Sequence, residues 1–168
     1  MFHDTTPLRS RSRFLRRTMA IVLGTGLVVI AGLSFSGTLA ASNDDWKIVF
    51  FHHPLYSSGD RHGSDIRLRE VLEPLLLKHN VSVVFNGHDH FYERVKPQQG
   101  ITYFVVGSGG QLRVGNIDRR SGITAKGFDT DQVFLAVEVT GDQMYFNVIS
   151  RLGNIVDSGV LMRRKSKP

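Results

Sequence analysis

Two histidines follow directly after an apolar run, and this arrangement limits the fold more than any other feature of the sequence. Residues 81–85 are apolar apart from Ser82, which predicts a buried strand. Gly87, His88 and His90 come next. Open α/β sheets bind their ligands beyond the carboxyl ends of their strands. Because imidazole is the commonest protein ligand for metal ions, the sequence predicts one edge of a metal site there.

A second β-rich run, residues 46–51, precedes the first histidines. Between the two runs, apolar residues recur at helical spacing over residues 66–78, with Ser64 or Asp65 as the N-cap. A strand, a helix and a strand in this order are typical of a parallel pair, whose loops meet at one sheet edge. The histidines of these loops are His52, His53, His62, His88 and His90. We therefore expect them to converge.

The second half of the chain is predicted to be largely β-structure. Residues 101–106 form a further strand and end at a glycine-rich turn, and residues 111–131 form a polar loop. Three antiparallel strands follow, with hairpin turns around Gly141 and Gly153. These strands cover residues 133–139, 144–149 and 155–161. The predicted class is α/β, with a strand–helix–strand unit followed by antiparallel strands.

The N-terminal region has the pattern of a targeting segment. Five arginines between residues 9 and 17 precede an uncharged run over residues 18–43, whose centre is apolar. Small residues around Ala40 resemble a signal-peptidase site. Residues 1–40 are thus either a cleaved signal peptide or a membrane anchor, a hydrophobic helix over residues 19–40. The chain would be exported, to the periplasm or the extracellular space, or anchored in the cytoplasmic membrane.

Composition excludes several classes of protein. The chain has no cysteine, which rules out disulfides, thiolate metal sites and a cysteine nucleophile. The net charge of +6 is concentrated at the two ends of the chain. A nucleic-acid-binding face needs basic residues spread over a folded surface, so no nucleic-acid partner is expected. The basic tail, residues 164–168, is interpreted as a solvated end.

Three motifs together resemble the calcineurin-like metallophosphoesterase superfamily, nearest to the purple acid phosphatases. They are Phe-His-His-Pro-Leu-Tyr-Ser-Ser-Gly at residues 51–59, Val-Phe-Asn-Gly-His-Asp-His-Phe-Tyr-Glu-Arg at residues 84–94, and Gly-Ser-Gly-Gly at residues 107–110. The resemblance covers about residues 46–163. It implies the C-terminal part of a phosphoesterase domain, that is, a partial metallophosphoesterase β-sandwich.

The resemblance also implies roles for single residues. His52 and His88 match ligands of one metal, and His90 matches a ligand of the other. His62 matches a catalytic histidine that contacts the substrate phosphate or its leaving group. His53 falls where relatives tolerate other residues. The implied cofactors are two divalent or trivalent ions of iron, zinc or manganese, and the implied substrate is a phosphate ester.

The same comparison predicts that the site is incomplete. The family also has Asp-x-His, Gly-Asp-x-x-Asp or -Tyr, and Gly-Asn-His-Asp or -Glu motifs before the residue that matches His52, and none has a counterpart here. Two functions stay open. The chain is either a phosphoesterase that uses a water activated by two metals, or an inactive half-domain with at most weak metal binding. A partner chain supplying the missing half would be intermediate between them.

Overall fold

The fold is known from a computed structural model that describes residues 20–23 and 36–165. The helices are α1, residues 36–41, and α2, Ile66–Lys78. The first strands are β1 (Ala20–Leu23), β2 (Lys47–Phe51), β3 (Val83–Asn86), β4 (Tyr92–Val95) and β5 (Thr102–Val106). They are followed by β6 (Thr124–Phe128), β7 (Val133–Thr140), β8 (Gln143–Ser150) and β9 (Ile155–Met162).

The strands form two sheets. The first has six strands in the order β1-β2-β3-β5-β4-β6, in which neighbouring strands are parallel from β1 to β5 and antiparallel from β5 through β4 to β6. The second is the antiparallel meander β7-β8-β9. The α/β class, the strand–helix–strand unit and the antiparallel strands that follow it are thereby confirmed.

Register places the ends of β2 and β3 at one edge of the first sheet. Val49 pairs with Val84 in the parallel ladder, and the Gly87 N–H just beyond β3 donates to the His52 carbonyl at 3.0 Å. Asp65 caps α2 by accepting a hydrogen bond from the Leu68 N–H. The predicted convergence of the loops after the two strands is therefore confirmed.

The six-stranded sheet is the middle of three layers. Because side chains alternate across a strand, neighbouring residues face opposite layers. One face packs on α2 through a buried cluster that includes Val49, Leu76, Val84 and Tyr103. The other face packs on the β7-β8-β9 sheet through a cluster that includes Ile48, Phe85, Phe104, Phe146 and Val148. The sheet end that carries the histidine loops is thereby held rigidly between two cores.

Besides β1, two strands of the first sheet were not predicted. β4 lies at the end of the motif at residues 84–94, directly after the histidine turn. β6 lies inside the predicted polar loop 111–131. Both contain charged residues, Glu93 and Arg94 in β4 and Lys126 in β6. Such residues are uncommon in strands, so propensity alone predicts a loop. Antiparallel pairing of β4 with β5 and β6 overrides that preference.

The expected hydrophobic helix over residues 19–40 is found only in part, since α1 covers residues 36–41. Ala20–Leu23 is a strand, parallel to β2. A short apolar run cannot be assigned to strand or helix from hydropathy alone, and the pairing with β2 selects the strand. The rest of the expected helix, residues 24–35, and residues 1–19 lie outside the described residues. Among the described residues, no helix is both long enough and apolar enough to cross a bilayer.

The start of the basic tail is attached to the domain rather than solvated. The Arg164 N–H donates to the Ser82 hydroxyl at 3.1 Å, and its guanidinium donates to the Val81 carbonyl at 3.1 Å. Asn80 donates its side-chain amide to the Arg164 carbonyl at 3.0 Å. These bonds satisfy backbone groups at the entry of β3, which charge counting cannot predict. Residues 166–168 lie outside the described residues.

A buried carboxylate on β9 joins the two sheets. Asp157 accepts hydrogen bonds from Tyr92 Oη at 2.6 Å and from Arg94 Nε at 2.8 Å, both on β4. Burial alone would raise the pKa of Asp157, but hydrogen bonds from Arg94 and Tyr92 outweigh it and lower that pKa. Because the folded pKa lies below the unfolded one, the stabilisation is complete above about pH 4 and is lost as pH falls through the folded pKa.

We therefore expect Asp157→Ala to lower the free energy of unfolding by about 2–3 kcal/mol at pH 7, since Tyr92 and Arg94 lose their common acceptor. Urea unfolding of both proteins between pH 7 and pH 2 measures the difference. It should shrink in acid. A difference that stayed constant over this range would show that the carboxylate charge contributes nothing.

Candidate metal and phosphate site

Asn86, the last residue of β3, fixes the turn that carries the first histidines. Its side-chain amide donates to the Phe51 carbonyl at 2.9 Å and to the His53 carbonyl at 3.4 Å. Asn86 is buried, and its Oδ1 has no hydrogen-bond partner. The loop after β2 is thus tied to the end of β3, which holds His52 beside His88.

Two imidazoles from the two parallel strands meet at this edge. His88 Nδ1 lies 3.2 Å from His52 Nε2, and the two ring centroids are 5.1 Å apart at a steep angle. His88 has a φ of 65°, in the left-handed region that non-glycine residues seldom adopt. The turn therefore holds the His88 ring in place through an uncommon backbone conformation.

The other predicted residues lie around this pair. The ring centroids of His53 and His62 are 4.2 Å and 4.4 Å from that of His88. His90 makes no such ring contact among the described residues, and its buried Nδ1 has no hydrogen-bond partner. The structure therefore brings His52, His62 and His88 together and places His90 at the margin of the cluster, where its backbone carbonyl accepts from the Arg113 N–H at 2.9 Å.

Burial and positive neighbours favour neutral imidazoles at two positions. Burial lowers the pKa of His88, and the nearby His53, His62 and His52 lower it further. Burial also lowers the pKa of His90, together with the charges of Arg113 and His62. A neutral imidazole keeps a lone pair free for a metal ion, whereas a protonated ring does not.

The histidine pair fits part of a metal site. Zinc–nitrogen bonds of about 2.0–2.1 Å at a tetrahedral angle place two ligand nitrogens about 3.3 Å apart. The separation of 3.2 Å between His52 Nε2 and His88 Nδ1 matches that value. The described residues contain no group of three His, Asp or Glu side chains arranged for one ion. The described residues thus hold two nitrogen atoms at a spacing that suits one ion, and they do not complete a two-metal site.

Two buried acids form hydrogen bonds with the loop between His52 and His62 rather than with the histidine cluster. Asp89 accepts a hydrogen bond from the Ser57 hydroxyl at 2.5 Å, and Glu93 accepts one from the Ser58 N–H at 2.9 Å. Both acids are fully buried. The loop that leads from His52 to His62 is therefore fixed at its middle by the histidine turn, through Asp89, and by β4, through Glu93.

Sequence reasoning missed the arginines near the cluster. Arg61 and Arg67 line a cavity together with His53, His62 and His88, and Arg113 lies beside His90. Arg61 directly precedes His62 in the sequence and Arg67 lies in the first turn of α2, so both could have been noted from position alone. The position of Arg113 depends on a long loop and gave no such signal.

Comparison with known proteins shows similarity to one family over part of the chain. The model of the calcineurin-like phosphoesterase family matches residues 14–92, which include β1, β2, β3 and the histidine loops. Purple acid phosphatase 21 of Arabidopsis thaliana is 41% identical over 73 residues, covering 39% of this chain and 17% of the relative. Over residues 14–92 the chain is therefore similar to the calcineurin-like phosphoesterase family. The chain spans less than a quarter of the length of the curated relatives it matches.

Solved structures share the fold of this chain. GAP50, the anchor in the inner membrane complex of Plasmodium, superposes with a TM-score of 0.72 at 23% identity, over 82% of this chain and 44% of GAP50. Purple acid phosphatase PPD1 from yellow lupin seeds gives 0.71 at 21% identity, over 79% of this chain and 28% of PPD1. Most of the described fold thus corresponds to a part of each larger structure.

Proposed function

We propose that this chain contributes the histidine-bearing half of a metal-dependent phosphoesterase site. The 3.2 Å approach of His52 Nε2 to His88 Nδ1 supports it, because that distance suits two ligands of one ion. Family similarity supports a phosphoesterase-like function in general terms. The role of each histidine and the substrate, a phosphate ester, are parts of the proposal.

In the proposed site, His52 and His88 bind one ion and His90 provides a donor to a second. Bound iron, zinc or manganese ions would activate water and offset phosphate charge. His62 lies beside His88, within reach of a phosphate group placed at the cluster. Its protonated ring would donate a hydrogen bond to a phosphate oxygen or a proton to the leaving-group oxygen.

Replacing His88 tests this proposal. We expect the full chain to bind Zn²⁺ or Mn²⁺, and His88→Ala to weaken that binding by more than the ~10–100-fold that losing an outer-shell partner costs. Isothermal titration calorimetry measures the affinity. Hydrolysis of 4-nitrophenyl phosphate, measured with the same metals added, should be lost in the same variant.

His79→Ala is the matched control, since His79 ends α2 and bonds to Ser36 rather than to the cluster. It should leave metal affinity and hydrolysis unchanged. If His88→Ala bound metal as well as the parent chain, His88 would not be a ligand and the proposed site would be wrong.

A second candidate is a half-domain that binds metal weakly and performs no chemistry. The observation in its favour is that the described residues contain no three-ligand group. The two candidates differ in the hydrolysis assay. Binding of one weak equivalent of metal without hydrolysis would support the half-domain, whereas hydrolysis that His88→Ala removes would support the enzyme.

The proposal requires further donors from polypeptide outside the described residues. An apolar groove of about 640 Å³ marks where such polypeptide could pack, because its lining joins Phe50, Phe85 and Phe134 to His52 and Gly87 at the site. A segment or partner chain covering this groove would reach the histidine pair. Export through the N-terminal segment stays part of the proposal, whereas an anchoring helix over residues 19–40 does not, because Ala20–Leu23 forms strand β1.

A further inference from the structure

A polar cavity opens beside the histidine cluster, on the side of the first turn of α2. Its volume is about 420 Å³, within the ~300–1,000 Å³ typical of small-molecule sites. A single phosphate group would fill only part of it. Its lining residues are His53, Pro54, Arg61, His62, Gly63, Ser64, Asp65, Ile66, Arg67 and His88. Because His62 and His88 belong to both, the cavity is continuous with the candidate site.

The charge of this cavity favours an anion. Arg61 and Arg67 are exposed, and neither forms a hydrogen bond or an ion pair within the described part of the chain. The lining carries one carboxylate, that of Asp65, which is engaged by the Leu68 N–H as the cap of α2. Guanidinium groups bind phosphate through paired N–H donors. Two free guanidinium groups therefore remain for a ligand.

The position of the arginines relative to the cluster determines which ligand fits. His62 and His88 line the same cavity as Arg61 and Arg67, so a phosphate bound at the two histidines would share the cavity with both guanidinium groups. We infer that this cavity is a second phosphate subsite, in which Arg61 and Arg67 bind the distal phosphate of a ligand carrying two linked phosphate groups. The inference rests on the proposed function for the place of the first phosphate.

Binding of inorganic pyrophosphate and of inorganic phosphate tests the subsite. Calorimetry on the full chain, dialysed against EDTA because pyrophosphate itself binds metals, should give at least about tenfold tighter binding of pyrophosphate, the gain expected from one charge-assisted hydrogen bond. Arg61→Gln/Arg67→Gln should remove this preference and change phosphate affinity less than about twofold. Arg120→Gln/Arg151→Gln removes the same charge outside the cavity and should retain the preference.

Equal affinity of the chain for pyrophosphate and phosphate would overturn the subsite. An equal loss of the pyrophosphate preference in the two double variants would also overturn it, because general electrostatic attraction would then explain the binding. The affinity for a nucleoside diphosphate distinguishes an organic diphosphate ligand from an inorganic one. Binding as tight as that of pyrophosphate supports a diphosphate on an organic group, and weaker binding supports the inorganic ligand. Absence of aryl phosphate hydrolysis would count against the proposed function, while the anion preference would still decide the subsite.

Discussion

Gly107→Ala is expected to destabilise the protein by more than about 4 kcal/mol, in the range reserved for severe packing conflicts. A Cβ at Gly107 would overlap the carbonyl oxygen of Asp89 and lie 2.9 Å from the Asp89 carbonyl carbon. Both atoms belong to the backbone of the histidine turn, so no side-chain rotation relieves the conflict. The turn between Gly87 and Phe91 would have to move, and His88 would move with it.

Thermal unfolding followed by circular dichroism measures the loss, and metal titration shows whether the site survives. Gly110→Ala is the matched control, three residues later in the same turn, because a Cβ there meets nothing within 4 Å. It should unfold like the parent chain. Equal stability of the two variants would mean that the turn does not pack against Gly107 as described.

Glu93→Ala is expected to lower the free energy of unfolding by roughly 3 kcal/mol, because it leaves buried hydrogen-bond donors without an acceptor. The Ser58 N–H donates to Glu93 Oε2 at 2.9 Å, and the Thr124 hydroxyl donates to Oε1 at 2.5 Å. Glu93 thereby joins the loop before His62 to β4 and β6. For a chain of this length the loss corresponds to a fall in melting temperature of roughly 6–12 °C.

Glu93→Gln keeps the shape and one acceptor oxygen and should be less damaging than Glu93→Ala. Glu138→Ala, on the exposed side of β7, should change the melting temperature by no more than a degree or two. Scanning calorimetry of the three variants gives the order. If Glu93→Ala matched Glu138→Ala, the Ser58 and Thr124 donors would be satisfied in another way.

The parts of the fold predicted from sequence are those that local patterns specify. Ser64 or Asp65 before a helical repeat predicted the start of α2, and glycines around residues 141 and 153 predicted the turns of the meander. Parallel pairing of β2 and β3 followed from a short crossover, and it brought His52 to the same sheet edge as His88. These features depend on neighbours in the sequence, where propensity and periodicity operate.

The features that escaped prediction depend on distant partners. Sequence alone places Glu93 in a loop. Its carboxylate is satisfied by Ser58 and Thr124, which are 35 and 31 residues away. Sequence alone places Arg164 in a solvated end. Its N–H is in fact bound by the Ser82 hydroxyl, 82 residues away. The arginine-lined cavity shows the same limitation, since Arg67 reaches it only because α2 begins at the edge where β2 ends.

The left-handed backbone conformation of His88 lowers the stability of the turn, while the ring of His88 is needed for the proposed metal binding. For residues with a Cβ this conformation costs about 1–2 kcal/mol, whereas glycine adopts it freely. Glycine at this position would therefore stabilise the turn and remove an imidazole. Selection of variants only for heat resistance would favour glycine at this position. The selected variants would be more stable but would lack the candidate metal ligand. Engineering of this chain should hold position 88 fixed.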